Sequence, residues 1–455
     1  MDPSQEDNAD PLRVLYLDSS FTFGGAINSL VHMIRGFDEG EVEAVVVTGQ
    51  PKGFVEQRAP GAIVYEMALK LPWVHDRWFR YLKSLRPFRL GVFGRLLTAA
   101  RVGYWFLFVT LPQAFRYAVI GRRHNVDLVH LNNGLESQPD GLLAARMLRV
   151  PCIVHHRAFS KAHWQVKYRD RSVSHHIAIS TAIRDRLGSQ GISSDRISLI
   201  HDAIDLDEFC PRTDGTAIRK EFGISGDDLA VGLFGRIVPW KGTREFVLAF
   251  QRVIQRIPKA KAYLVGDVSD GDVAYLEAVQ ELIEASGLKD RCVLTGYRDD
   301  VPAVMMAMDL IVHASIKPEP FGMVLIEGMA MEKPIVATVG GGPDDIVLPD
   351  ITGLLVPRGD PHGLAEAMSE LLTDPERRKR MGRAGRDRVE RHFSKERYAA
   401  EVLAVYHSVR GNRQPAPEIS SIRNPGRPEG SPASLSPGDG VPHRQRREWI
   451  RGSSI

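Results

Sequence analysis

The sequence predicts an α/β protein built from two doubly wound halves that face each other across a cleft. Three observations carry this. Short, continuous apolar runs recur along the chain with helix-like stretches between them, the signature of strands in a parallel sheet covered on both faces. The same rhythm restarts after a seam at about 205–226, which contains Pro211, Asp214-Gly215 and Ser225-Gly226. The length of 455 residues exceeds what one hydrophobic core normally serves.

In the first half, the apolar run at 14–17 leads through Gly24-Gly25 into a helical pattern reaching Gly36, and a second run follows at 42–47. Further strands are expected at 126–131, 151–156, 176–179 and 197–200, with helices at 140–149 and 182–187 among them. In the second half, strands are expected at 229–234, 260–265, 292–294, 310–313 and 334–338, and helices at 243–256, 273–286, 301–307 and 321–331. In such a fold the ligand sits at the carboxyl ends of the strands. The expected organisation is a disordered N-terminus at 1–11, a first domain at 12–208, a second at 209–392, a helix at 393–410 returning toward the first domain, and a disordered tail at 411–455. That tail holds seven Pro, six Gly and seven Ser, and little that a core could bury.

Composition narrows the function classes. A net charge of +3 gives no reason to expect nucleic acid as a partner. The three cysteines, Cys152, Cys210 and Cys292, are widely spaced and fit a reducing compartment better than a disulfide framework. The acidic, polar start lacks a signal-peptide pattern, and no uncharged apolar run approaches the roughly 20 residues of a spanning helix.

Two segments carry chemistry. In VGLFGRIVPWKG, residues 231–242, a strand ends at Gly235 and a loop presents Arg236 and Lys241 before a helix. Arg forks phosphate oxygens and Lys adds a point charge, which suits a diphosphate leaving group. In KPEPFGMVLIEGMA, Pro318 and Pro320 keep Glu319 outside the helix that begins near Gly322, whose free N–H groups favour an anion. Glu327 lies about two turns further, on the order of 10 Å away. Glu319 would meet a sugar, the helix start a diphosphate, and Glu327 a ribose.

These motifs, in this order, resemble those of the retaining GT-B glycosyltransferases of family 4. The likeness spans roughly residues 12–410 and is strongest over 231–356. There the Gly-Arg…Lys-Gly loop is followed by a strand ending at Gly266, then LTGYRDDVP, the Glu319…Glu327 pair and a Gly-Gly-Pro turn. The resemblance implies two Rossmann-like domains, with a UDP- or GDP-linked sugar held mainly by the second. It implies that Arg236 and Lys241 contact the diphosphate, Glu327 the ribose and Glu319 the transferred sugar. Gly322, Met323 and Val324 would add backbone donor contacts, and Tyr297 and Arg298 would lie beside the base. It also implies catalysis without a bound metal, by front-face substitution with retention. Gly24 and Gly25 match the first-domain glycine loop; the Glu often found two positions later is here Ile27.

CIVHHRAFS should end a first-domain strand at the cleft. Alternation sets His155 and Arg157 on one face and His156 on the other. His155 is the expected catalytic imidazole, and Arg157 and His156 are acceptor-side candidates. Residues 70–123 depart from the sheet-and-helix rhythm, with eleven Lys or Arg against one acid, Asp76, interleaved with Trp, Phe and Tyr. That mixture suits an anionic membrane surface. The expectation is therefore a cytoplasmic enzyme, peripheral on the inner face of the cell membrane, which passes sugar to a glycan or lipid-linked acceptor in cell-surface polysaccharide or glycolipid synthesis. The alternatives are a GT-B nucleotide-sugar epimerase or a non-catalytic sugar-nucleotide or membrane-binding protein.

Overall fold

The structure, a computed structural model, describes residues 10–20, 24–51, 53–67, 92–159, 168–268 and 271–411. The expected disordered segments at 1–11 and 411–455 lie almost wholly outside these residues, as does part of the basic aromatic region.

Two wholly parallel sheets form the frame. The first contains β1 (Leu12–Asp18), β2 (Val42–Thr48), β3 (Ile63–Glu66), β4 (Leu128–Leu131), β5 (Cys152–His156), β6 (His175–Ala178) and β7 (Ile197–Leu199), in the order 3-2-1-4-5-6-7. The second contains β8 (Leu229–Phe234), β9 (Ala260–Val265), β10 (Cys292–Gly296), β11 (Leu310–His313), β12 (Ile335–Thr338) and β13 (Gly353–Val356), in the order 10-9-8-11-12-13. Both orders reverse after the first strand of the sheet. The reversal opens a crevice beside the carboxyl ends of β1 and β4 in one sheet, and of β8 and β11 in the other.

The apolar runs become strands because helices cover both faces. The inner strands β4, β5, β11 and β12 are buried at every position. In the second sheet the Thr243–Arg256 helix sets Phe246, Val247, Phe250 and Val253 against β8 and β9. Of the four edge strands, β7 and β10 are anticipated, whereas β3 and β13 are short and at most partly buried, and their weaker apolar pattern escapes the sequence reading.

The chain crosses between the halves twice. Ile204 donates its N–H to the Phe393 carbonyl at 3.0 Å and bridges Ser394 in parallel. The Lys395–Arg410 helix then packs on the first sheet, where Tyr398, Val402 and Tyr406 join a core with Val14, Tyr16 and Ile27. Buried Asp205 pins this crossing through Lys395 at 2.8 Å and Arg35 at 2.7 Å.

Candidate active site

The crevice of the second sheet gathers the sequence-expected groups. After β8, Gly235 takes φ +133°, and the loop returns through the 3₁₀ turn Pro239–Lys241 to Gly242 at φ +73°. A Cβ on Gly242 would overlap the Ala314 carbonyl, so only glycine allows the loop to close on β11. The closure directs Lys241 into the crevice. Its Nζ lies 2.6 Å from Glu319 Oε2 and 4.4 Å from the centre of the Trp240 ring. Arg236 is exposed beside it and has no ion-pair partner among the described residues.

Glu319 is held by its backbone as well as its side chain. Its N–H donates to the Gly340 carbonyl at 3.1 Å, and its own carbonyl accepts from Gly342 N–H at 2.9 Å. Cβ atoms on Gly341 and Gly342 would overlap the carbonyls of Glu319 and Phe321, and Gly340 takes φ +104°, so each of the three glycines has its own reason. Asp344 accepts from Gly340 N–H at 2.9 Å, so it braces this turn instead of capping the short helix after it.

The carboxyl of Glu319 is buried, and three groups converge on one oxygen. Lys241 Nζ at 2.6 Å, Ser315 Oγ at 3.0 Å and His313 Nε2 at 3.2 Å all reach Oε2. Oε1 has no hydrogen bond among the described residues. Burial favours the neutral acid, but Lys241 and His313 outweigh it and hold the carboxyl well below its usual range. His313 and Ser315 were not foreseen. Their signal is the polar ending of an apolar strand, LIVHAS, six and four residues before Glu319.

The Met323–Ala330 helix starts at Gly322, φ +107°, without a side-chain cap. The N-termini of two helices approach here. A Cβ on Gly25, the first residue of the Gly25–Arg35 helix, would sit 3.4 Å from Met323, and Ser29 Oγ lies 3.6 Å from Met323 Sδ. Gly25 and Ser29 thus face the Met323–Ala330 helix across the crevice. Glu327 is half-buried one face along, and its carboxyl makes no hydrogen bond among the described residues. Burial, with Glu208 adding to it and Lys241 opposing, pushes its carboxyl up to about 7.

Tyr297 lies exposed after β10. The Arg298 guanidinium is turned to Asp300 and Glu221, each at 2.6 Å, and lies over the Phe222 ring. Its position beside a base would therefore rest on the loop backbone or on rearrangement of this pair.

The first-domain group departs from expectation. His155 is fully buried, with Nδ1 3.2 Å from His130 Nε2 and its ring beside Tyr398. Arg157 is buried too, bonded to Asn132 at 2.9 Å, Tyr398 at 2.8 Å and Asp202. Burial alone would lower the Arg157 pKa, but Asp202 and Tyr398 raise it above the ordinary value. The face chosen for the cleft is the face the Lys395–Arg410 helix covers. In this structure the His155 side chain is fully buried, and Arg157 ties strand, linker and C-terminal helix together. His156 points the other way, in a chain through His176 at 2.9 Å to Asp170 at 2.8 Å.

Comparison with known proteins bears on the family and the fold. The family described as "Glycosyl transferases group 1" matches residues 214–388, and "Glycosyltransferase Family 4" matches residues 23–208. N-acetyl-alpha-D-glucosaminyl L-malate synthase of Bacillus anthracis is 25% identical over 66% of this chain and 79% of its own. The lipopolysaccharide core biosynthesis mannosyltransferase LpsB of Rhizobium meliloti is 27% identical over 62% of this chain and 84% of its own. Among solved structures, Anabaena HepE in complex with UDP and glucose superposes with a TM-score of 0.69 at 23% identity, over 87% of this chain and all of that one. A glycosyltransferase from Rickettsia africae gives 0.74 at 20% identity, over 89% of this chain and all of that one. These structural likenesses speak to the fold. The two family matches together span both domains, and the chain belongs to the group 1 glycosyltransferases, enzymes of the two-domain GT-B fold.

Proposed function

We propose that this enzyme moves a sugar from a UDP- or GDP-linked donor to a glycan or lipid-linked acceptor, with retention at the anomeric carbon and without a bound metal. The observation that carries it is the arrangement at the second crevice. Arg236 and Lys241 offer two cations within one loop, Glu319 keeps Oε1 unbonded beside them, and Glu327 waits unpaired a short distance along the helix.

Each group has a task. As the bond from the anomeric carbon to phosphate breaks, charge grows on the leaving diphosphate, and Arg236 and Lys241 neutralise it. The N–H groups opening the Met323–Ala330 helix add to that field, with Gly322, Met323 and Val324 as backbone contacts. Glu319 accepts hydrogen bonds from sugar hydroxyls through Oε1, and Glu327 accepts from the ribose. Tyr297 and the backbone at Arg298 flank the base. Gly24 and Gly25 let the first domain close over the donor without side chains in the way.

Curated relatives include a mannosyltransferase of lipopolysaccharide core biosynthesis, and HepE was solved with UDP and glucose. The first supports a role in cell-surface polysaccharide or glycolipid synthesis, which we place at the cytoplasmic face of a membrane, and the second is in keeping with a UDP-linked donor. Among the described residues no helix is long and apolar enough to cross one. The test is a screen of UDP- and GDP-sugars that measures nucleoside diphosphate release with lipid-linked and soluble glycan acceptors. One donor should stand well above the rest. Equal, background release from all of them would remove the transferase reading of this crevice.

A further inference from the structure

The crossover between β3 and β4 ends in a long helical run whose outer side is the wrong polarity for water. It comprises the helix Val92–Trp105, a π turn Phe106–Thr110 and the helix Leu111–Arg123. The last part packs inward through Ala114, Tyr117, Ala118 and Ile120, and Gln113 Nε2 donates to the Tyr117 hydroxyl at 2.7 Å. A helix packed this way normally shows charged and polar residues to solvent. Here Phe106, Phe108, Leu111, Phe115 and Val119 are exposed instead, Phe108 at 60% and Phe115 at 57%. Contiguous large apolar side chains on a surface mark a binding face.

The charge around the stripe identifies the occupant. From residue 92 to residue 123 the sequence has Arg95, Arg101, Arg116, Arg122 and Arg123 and no acid. A second copy laid on this face would bring its own cations against these. An anionic lipid surface is complementary in both respects, with phosphates for the arginines and an acyl boundary for the rings. The run is not a spanning segment, so it must lie in the plane of the surface.

We propose that this helical run docks facially on an anionic bilayer, with Phe106, Phe108, Leu111, Phe115 and Val119 entering the boundary between headgroups and acyl chains. The topology gives the docking a use. A crossover helix runs antiparallel to the strand it feeds, so the start of Leu111–Arg123 and the π turn before it lie toward the carboxyl edge of β4. That is the edge at which the reversal of strand order between β1 and β4 opens the crevice. Docking there would bring the crevice to the headgroups, where a lipid-linked acceptor is found. This deepens the acceptor half of the function proposed above and rests on it for its purpose, but binding can be read without turnover.

The experiment is co-sedimentation of the full chain with vesicles of phosphatidylcholine alone or with about a third phosphatidylglycerol, at low and high salt. The wild type should sediment with the anionic vesicles, less as salt rises, and little with the neutral ones. Phe108→Ser with Phe115→Ser should weaken partitioning at least tenfold, and Arg122→Gln with Arg123→Gln should remove the preference for anionic lipid. All four sites are exposed, so unchanged thermal melting is expected. Failure of the wild type to sediment, or indifference to both pairs of substitutions, overturns the proposal. So does a dimer in sedimentation equilibrium that the Phe substitutions dissociate without any vesicle binding, which would assign the face to a second copy. Nucleoside diphosphate release with a soluble acceptor should survive the Phe substitutions. A wild type that releases nucleoside diphosphate but binds no vesicle therefore fails this inference alone, and one that binds vesicles but shows no release fails the transferase reading alone.

Discussion

Glu327→Gln should make the protein more stable and a worse enzyme, with the stability gain confined to higher pH. The Glu327 carboxyl has no hydrogen bond among the described residues, and burial, with Glu208 adding to it, raises it from 4.5 to about 7. Because the folded-state pKa lies above the unfolded value, its favourable contribution is full below about 4.5 and is lost as pH rises through about 7. At pH 8 the folded wild type holds an ionised group at a cost of about 2–3 kcal/mol. Glutamine carries no such cost. The variant should therefore melt on the order of 6 °C higher at pH 8 and nearly level with the wild type at pH 5. The donor would lose an ionised acceptor for two ribose hydroxyls, at about 1.5–3 kcal/mol for a charged hydrogen bond, so donor KM should rise at least tenfold. For the wild type, donor affinity should improve from pH 6 to pH 8 as the carboxylate forms. The assays are melting at pH 5 and pH 8 together with donor titration. A gain equal at both pH values, or none, would refute the buried-carboxylate argument. Unchanged donor affinity would refute the ribose role.

Other outcomes can be checked in the same preparations. Arg157→Met should destabilise by about 3–5 kcal/mol, because it leaves Asp202 buried and unpaired, yet the folded fraction should keep its donor KM; a normal melting point with lost donor binding would return Arg157 to the site. Gly242→Ala should weaken both folding and donor binding, since a Cβ there overlaps the Ala314 carbonyl at a φ of +73°; wild-type behaviour would show that the loop is not pinned to β11. His155→Gln should leave turnover per folded molecule within about threefold, as the ring is sealed beneath Tyr398; a loss of a hundredfold or more would place it in the chemistry after all.

Most strands were legible because a parallel sheet covered on both faces demands continuous apolar runs, and β1, β2, β5, β8 and β9 are such runs. The edge strands β3 and β13 need less, and IVYE and GLLV do not stand out. The glycines and charges of the second crevice were legible for a related reason. Gly242 and Gly341 are fixed by close backbone approach, and Arg236, Lys241 and Glu319 sit on the loops those glycines close. Orientation was not legible where a distant segment decides it. Alternation correctly separates His155 and Arg157 from His156, but the Lys395–Arg410 helix, more than two hundred residues later, decides which face is covered. His313 and Ser315 were missed for the same kind of reason, since nothing local shows that the chain folds back to set both on Glu319 Oε2. The basic aromatic stretch was visible as composition. Only the structure shows that its outer side is an apolar stripe interrupted by a π turn.

The central claim is that Arg236 and Lys241 neutralise a nucleoside diphosphate as it leaves. The direct measurement is single-turnover nucleoside diphosphate release from the preferred donor by the wild type and by Lys241→Ala, with melting recorded alongside. Loss of one preorganised charge at the leaving group should slow release by roughly a hundred- to a thousandfold while the fold persists. Release within a few-fold of the wild type would contradict the account.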